Sequence, residues 1–370
     1  MQRINLKKVS FALLLTLPLL VVVAAIAEIA LRFRNESTSA ITGVTSWKTA
    51  QWKDLVYHWD TYHPLLGWTN LPSYRSGPEV PFEVAINSQG LRALREYTLR
   101  PPHDRRRLLI FGDSSVFGEE VDDDQTLPFH LEQEILGAEV LNFGVHGYGL
   151  GQMALRLEEE GFALHPDHVV VVYFTYDFMR DPQPMFLHAK PVFRVEGGQL
   201  VVENTPVPES AHLPWFTRNS FVAAWIWGSM HRLKPMERGS LDAGLEITSA
   251  ILARIRAACE ARDVPLTLIH IVDGPTIARL RSNPLERRRV KRIREVLAAS
   301  ELDLLDLAPY LEERLAATGP SLLAPHGHWS GLGNRLIAAR IAEHLDQPID
   351  ATARGVSSQS ALLDDQNRSE

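Results

Sequence analysis

Five short apolar runs, each followed by a segment with helical spacing, constrain this chain more than any other feature. They fall at residues 108–111, 139–143, 169–174, 266–272 and 302–307. A run such as Val169-Val170-Val171-Val172-Tyr173-Phe174 lacks the in–out alternation of a half-exposed strand, so both of its faces must be covered. Helical patterns at residues 127–136, 152–162, 243–261, 287–297 and 332–345 supply the cover. The alternation predicts an α/β fold, a doubly wound parallel five-stranded sheet. In such a sheet ligands bind beyond the carboxyl ends of the strands, where the strand order reverses.

The rest of the chain fits around that unit. With 370 residues, 45% of them hydrophobic and 22% charged, the composition is that of a globular protein. A net charge of −7 that no one region dominates argues against nucleic acid as a partner. The single cysteine, Cys259, sits in a helical pattern and reads as a buried structural thiol. Residues 9–27 carry no charge, with Arg3, Lys7 and Lys8 before them and Glu28, Arg32 and Arg34 after. The run is longer than the usual apolar core of a signal peptide. Residues 1–34 are therefore expected to remain as a single-pass membrane anchor, with the remainder on the extracytoplasmic side. Residues 35–63 read as a linker, 64–346 as the folded domain and 347–370 as a disordered tail. Residues 82–86 alternate as a further strand. Residues 182–242 break the pattern with seven prolines, a hairpin at 192–202 around Gly197-Gly198, and an aromatic helix from 221 to 230. This β-hairpin and helix insertion lies over the carboxyl edge as a lid, a substrate wall or a packed satellite helix. The arginine-rich helix at 287–297 reads as a solvated face.

The candidate chemistry lies in the carboxyl-edge loops. The first strand runs straight into Gly112-Asp113-Ser114, a turn that is also a helix start. A serine there sits near a helix amino terminus, which favours developing negative charge. The second loop carries Gly144 and Gly147, where missing side chains let a substrate approach backbone N–H groups. The third carries Thr175-Tyr176-Asp177, and His326-Gly327-His328 precedes the last helix. A serine, backbone donors, a polar third loop and a late histidine describe acyl-transfer machinery. His326 and His328 have the spacing of a metal-chelating pair but no matched third ligand, so no metal is assigned. Asp122-Asp123-Asp124 reads as a loop and helix cap. Neither a P-loop nor a Gly-x-Gly-x-x-Gly follows the first strand, so no nucleotide cofactor is expected.

At these blocks the sequence resembles the SGNH (GDSL-type) hydrolases, particularly their membrane-anchored bacterial members. The resemblance rests on Phe111-Gly112-Asp113-Ser114-Ser115-Val116-Phe117-Gly118, on Asn142-Phe143-Gly144-Val145-His146-Gly147-Tyr148-Gly149, and on His328-Trp329-Ser330-Gly331-Leu332-Gly333. It implies a flavodoxin-like hydrolase fold over residues 64 to 345. It also implies a serine esterase acting on an O-acyl ester of a small molecule, lipid or glycan. Ser114 would be the nucleophile and His328 the general base, with the N–H groups of Ser114 and Gly147 forming the oxyanion hole. The same machinery would serve an O-acyltransferase for an envelope polysaccharide, and a degenerate copy would be a glycan-binding or scaffold domain. Two positions depart from the family. Tyr176 stands where the family has an asparagine that completes the oxyanion hole, and His326 and Pro325 stand where it has the aspartate of the triad. The expectation is therefore a site without a carboxylate behind His328. A backbone carbonyl or the His326 ring would hold the His328 Nδ1–H, with Asp177 the candidate if a charge is supplied.

Overall fold

The computed structural model describes residues 6–34, 59–209, 219–232 and 240–346. The elements in chain order are α1 (Leu6–Arg34), β1 (Asp60–His63), β2 (Gly67–Asn70), β3 (Arg106–Gly112), α2 (Ser114–Phe117), α3 (Leu127–Glu134), β4 (Ala138–Gly144), α4 (Leu150–Arg156), β5 (His168–Phe174), α5 (Asp177–Arg180), β6 (Val192–Glu196) and β7 (Gln199–Glu203). There follow α6 (Phe221–Arg232), α7 (Ser240–Glu260), β8 (Leu266–Ile271), α8 (Gly274–Ser282), α9 (Pro284–Ala298), β9 (Asp303–Asp306), α10 (Ala308–Thr318) and α11 (Gly331–Leu345).

The five apolar runs form one parallel sheet in the order β4-β3-β5-β8-β9. Strand direction and order are those of a doubly wound α/β sheet whose chain reverses its path between β3 and β5. Side chains alternate across it. Leu109, Phe111, Leu141, Phe143, Val171 and Tyr173 join one core with α4, α7 and α9. Leu108, Ile110, Val140, Val170 and Val172 join the other with α3, α10 and α11. That two-sided burial is the reason the runs carry no polar alternation. Cys259 is buried in the first core, where burial pushes its thiol up to about 12.

The ends of the sheet are closed by ions. Arg107, fully buried at the start of β3, pairs with Glu139 and donates to the carbonyls of Thr98, Leu99 and Leu164. A buried guanidinium is tolerable only when it is paired with a carboxylate in this way.

Several boundaries differ from the sequence reading. Trp59 and Asp60, within the expected linker, are buried in the domain, and β1 pairs antiparallel with β2. Residues 82–86 are not a strand. Arg75–Ala85 and Ile86–Arg92 are isolated bridges, and the side chains of Asp122 and Asp123 accept the N–H groups of Glu83 and Ala85. The acidic run thus staples a loop. The helix after β4 widens from α into a π turn at Leu157–Gly161. The hairpin β6–β7 forms as expected, with Gly197 and Gly198 at φ 57° and 80° in the left-handed region. In the arginine-rich α9, Arg289, Arg292 and Arg294 pair with Glu286, Asp242 and Asp306. The aminoterminal run forms α1 with Leu19, Leu20, Val21 and Ile26 exposed. Among the described residues, no helix is long and apolar enough to cross a membrane. Residues 35–58 and 347–370, the expected linker and tail, lie outside the described residues.

Ile110 has no exposed surface at the centre of β3. Truncation by Ile110→Ala should lower unfolding free energy by about 3 kcal/mol, within the range for buried large-to-small changes. Urea denaturation of the two proteins measures it, and a loss below about 1 kcal/mol would contradict the placement of Ile110 in the core beneath the sheet.

Candidate active site

The site grows from the carboxyl end of β3. Asp113 caps the single turn α2 by accepting the Ser115 N–H at 2.9 Å, and Gly118 ends the turn at φ 89°. The cap fixes Ser114 at the head of the turn, half-exposed above the sheet. Its Oγ lies 3.0 Å from His328 Nε2. His328 comes from the loop before α11. That loop is closed by Ala324 N–H donating to His328 O at 2.8 Å and by Gly327 at φ 99°. The next residue, Trp329, is buried and donates Nε1–H to Val272 O at 3.1 Å, which faces His328 the other way, toward Ser114. Ser330 then caps α11 through the Gly333 N–H. The local pattern of aromatic, serine and glycine therefore works as a mount for the imidazole.

The third member is a residue that the sequence reading passed over. Glu120 Oε2 lies 2.7 Å from His328 Nδ1. Its other oxygen accepts the His326 backbone N–H at 2.9 Å and faces His326 Nδ1 at 2.6 Å. A carboxylate only accepts, so His328 donates Nδ1–H to Glu120 and its Nε2 lone pair is left for the Ser114 hydroxyl. Burial raises the Glu120 carboxyl, but the bonds from His328 and from the His326 backbone and ring outweigh it and hold the group below the usual range. A carboxylate thus stands behind His328 after all, and the expected carboxylate-free site is corrected. Neither a carbonyl nor the His326 ring holds the His328 Nδ1–H. His326, with 85% of its side chain exposed, binds the same carboxylate from outside.

Glu120 is held by backbone geometry. It is in the left-handed region at φ 71°, which few non-glycine residues adopt. Buried Arg92 brackets it, donating to the carbonyls of Phe117 and Gly118 before it and of Val121 after it, and pairs with Asp123. Strain of this kind persists where surrounding contacts over-determine the conformation. The sequence signal was the acidic pair Glu119-Glu120 directly after the first block.

The second loop carries Gly147 at φ 73°, where a Cβ would lie 2.5 Å from Leu187 Cδ1 and 3.2 Å from Phe186 Cδ1. The insertion residues 186–187 therefore pack against Gly147. Behind it, Asp60 bridges the buried rings of His146 and His188, and Trp59 donates to His146 Nδ1 at 3.2 Å. Tyr176 and Asp177 do not join the serine network. The Tyr176 hydroxyl donates to Glu286 and accepts from Arg279 Nη2 at 3.0 Å. Buried Asp177 accepts the Phe174 N–H at 3.0 Å and pairs with Arg180, and burial pushes its carboxyl well above the usual range. It hydrogen-bonds no atom of His328, so it is not the missing charge. Among the described residues no cluster of three or more His, Cys, Asp or Glu side chains could hold a metal ion.

No family model and no curated protein matches the chain. Its fold is similar to solved structures at low identity. One is a member of the lipolytic G-D-S-L family from Veillonella parvula, with 13% identity over 64% of this chain and 97% of that one, TM-score 0.36. Another is an acetyl xylan esterase, with 14% identity over 64% and 98%, TM-score 0.40. A third is a catalytic mutant of an acetylxylan esterase from Geobacillus stearothermophilus, with 16% identity over 66% and 95%, TM-score 0.38.

Glu120→Gln keeps the shape but removes the charge, and its amide can present N–H where His328 needs an acceptor. The rate at which a fluorophosphonate labels Ser114 should fall by about 10²–10⁴-fold, the scale seen when a triad acid is neutralised. Because the carboxyl is held below its ordinary value, its contribution to stability is complete above about pH 4.3 and is lost as pH falls through the lowered value. Denaturation of parent and variant across the acid range should show their stability difference shrinking only there. A difference that vanishes near neutral pH would contradict the Glu120–His328 pairing.

Proposed function

We propose that the protein is a serine esterase that cleaves an O-acyl ester through an acyl-enzyme on Ser114. The observation that carries the reading is the unbroken relay from Glu120 to His328 to the Ser114 hydroxyl, at 2.7 and 3.0 Å, at the carboxyl edge of the sheet. The Ser114 Oγ bonds to the acyl carbon as its proton passes to His328 Nε2, and the carbonyl π pair moves onto oxygen. The N–H groups of Ser114 and Gly147 receive that charge. Collapse of the intermediate breaks the ester bond, and His328 returns its proton to the leaving alkoxide. Water then takes the serine's part, losing a proton to His328, and the acid leaves as Ser114 is restored. Glu120 holds the imidazole in the reactive tautomer and offsets its positive charge.

The reading of a non-catalytic binding domain rested on two altered positions, the asparagine of the third loop and the aspartate before His328, and Glu120 answers the second of them. The amino-terminal helix supports a second part of the proposal: residues 9–31 stay on the mature protein and attach it to a membrane, with the domain on the extracytoplasmic side. Its uncharged run and exposed apolar side chains support attachment. Mass spectrometry should find these residues in a membrane fraction. A mature amino terminus near Glu28 in soluble protein would refute it.

Ser114→Ala should leave the fold intact and reduce p-nitrophenyl acetate turnover by at least about 10³-fold, as loss of a nucleophile does. Labelling by a fluorophosphonate probe should vanish with it. Equal turnover in parent and variant would overturn the esterase assignment.

A further inference from the structure

Tyr176 leaves a position open. Its phenol is committed to Glu286 and Arg279, so the third loop offers no donor from that residue to the reacting oxygen. One turn later stands Arg180, the last residue of α5. Among the described residues, its Nη1 alone makes the hydrogen bonds of the guanidinium. It donates to Asp113 Oδ2 at 2.9 Å, to Asp177 Oδ1 at 2.9 Å and to Tyr148 O at 2.6 Å. Asp113 directly precedes Ser114, and Tyr148 directly follows Gly147. The guanidinium is therefore pinned by the neighbours of both backbone donors of the oxyanion hole. Phe186 and Phe174 flank it, their ring centroids 5.0 and 5.4 Å from Cζ.

Nε–H and the Nη2 hydrogens have no partner among the described residues. The side chain as a whole is 11% exposed. A donor edge already oriented and left without a protein acceptor is available to an incoming oxygen. Burial raises the Asp177 carboxyl, so the positive charge of Arg180 is offset chiefly by Asp113.

We infer that Arg180 is a catalytic residue whose free N–H edge donates to the oxyanion formed on the acyl carbonyl, in place of a side chain at position 176. This rests on the esterase reading above. As Ser114 Oγ bonds to carbon and the π pair moves onto oxygen, the charge grows beside donors that are already oriented. Donors fixed in this way act mainly on the transition state.

The test uses the full chain with Arg180→Gln and Arg180→Lys, assayed on p-nitrophenyl acetate and with phenylboronic acid. The boronic acid bonds to the serine as a tetrahedral anion and so samples the oxyanion donors. Arg180→Gln should lose about 10²–10³-fold in kcat, the cost of one oxyanion donor, with KM within about threefold. Its inhibition constant for the boronic acid should rise in parallel with the loss in kcat/KM. A role limited to holding Asp113 would lower Tm without that parallel. Folded Arg180→Gln with kcat within about threefold of the parent, or unchanged boronic acid affinity, would overturn the inference. If Arg180→Gln does not fold, Arg180→Lys is judged by the same criteria. It keeps a cation beside Asp113 but lacks the paired N–H edge. Ser114→Ala run alongside separates the two failures, since turnover that survives it sinks the esterase reading itself.

Discussion

The hydrogen bond between Glu120 and His328 is the contact on which the site depends. It joins residues 208 positions apart and fixes which imidazole nitrogen keeps its lone pair. Without an acceptor at Nδ1, the ring has no reason to present Nε2 to the serine. The bond in turn needs Glu120 in a left-handed conformation, and that conformation needs the carbonyls on both sides of it tied down. Arg92 does this from a different segment, buried and paired with Asp123. A surface loop is thereby given the rigidity of a core element, at the cost of a desolvated guanidinium whose hydrogen bonds must all be met.

The architecture was legible because two-sided burial leaves a strong mark. Strands such as Val169–Phe174 need apolar residues at every position, and few other structures do. Legibility failed where a segment's role came from remote partners. Trp59 and Asp60 look like linker until His146 and His188 are known to lie against them. Residues 82–86 alternate like a strand, but their N–H groups go to aspartate side chains, which no local pattern announces.

In the site, Ser114 and His328 were readable because each sits in a contiguous block whose other members mount it. Gly112 and Asp113 shape the serine turn, while Trp329 and Ser330 anchor the histidine loop. The acid was not readable. A carboxylate needs only to reach Nδ1, and geometry lets it come from any neighbouring loop. Looking beside the histidine found His326, whereas the charge came from the loop of the nucleophile. Tyr176 and Asp177 held the expected positions but spend their polar atoms on Glu286, Arg279, Arg180 and the Phe174 N–H.

Ser114 and Glu120 stand six residues apart on one short loop, and only the imidazole between them arrives from elsewhere. Their separation is thus set by local backbone, independent of how the domain's halves sit on each other. Any outward swing of the 323–329 loop would break the contacts to serine and carboxylate in one movement, and would carry His326 off the same carboxylate. The relay has no half-assembled form with the base still engaged on one side. A loop of seven residues, closed by a bridge between Leu323 and Trp329, therefore behaves as a single-throw connector, and the balance between its open and closed forms would set the fraction of molecules with the relay assembled.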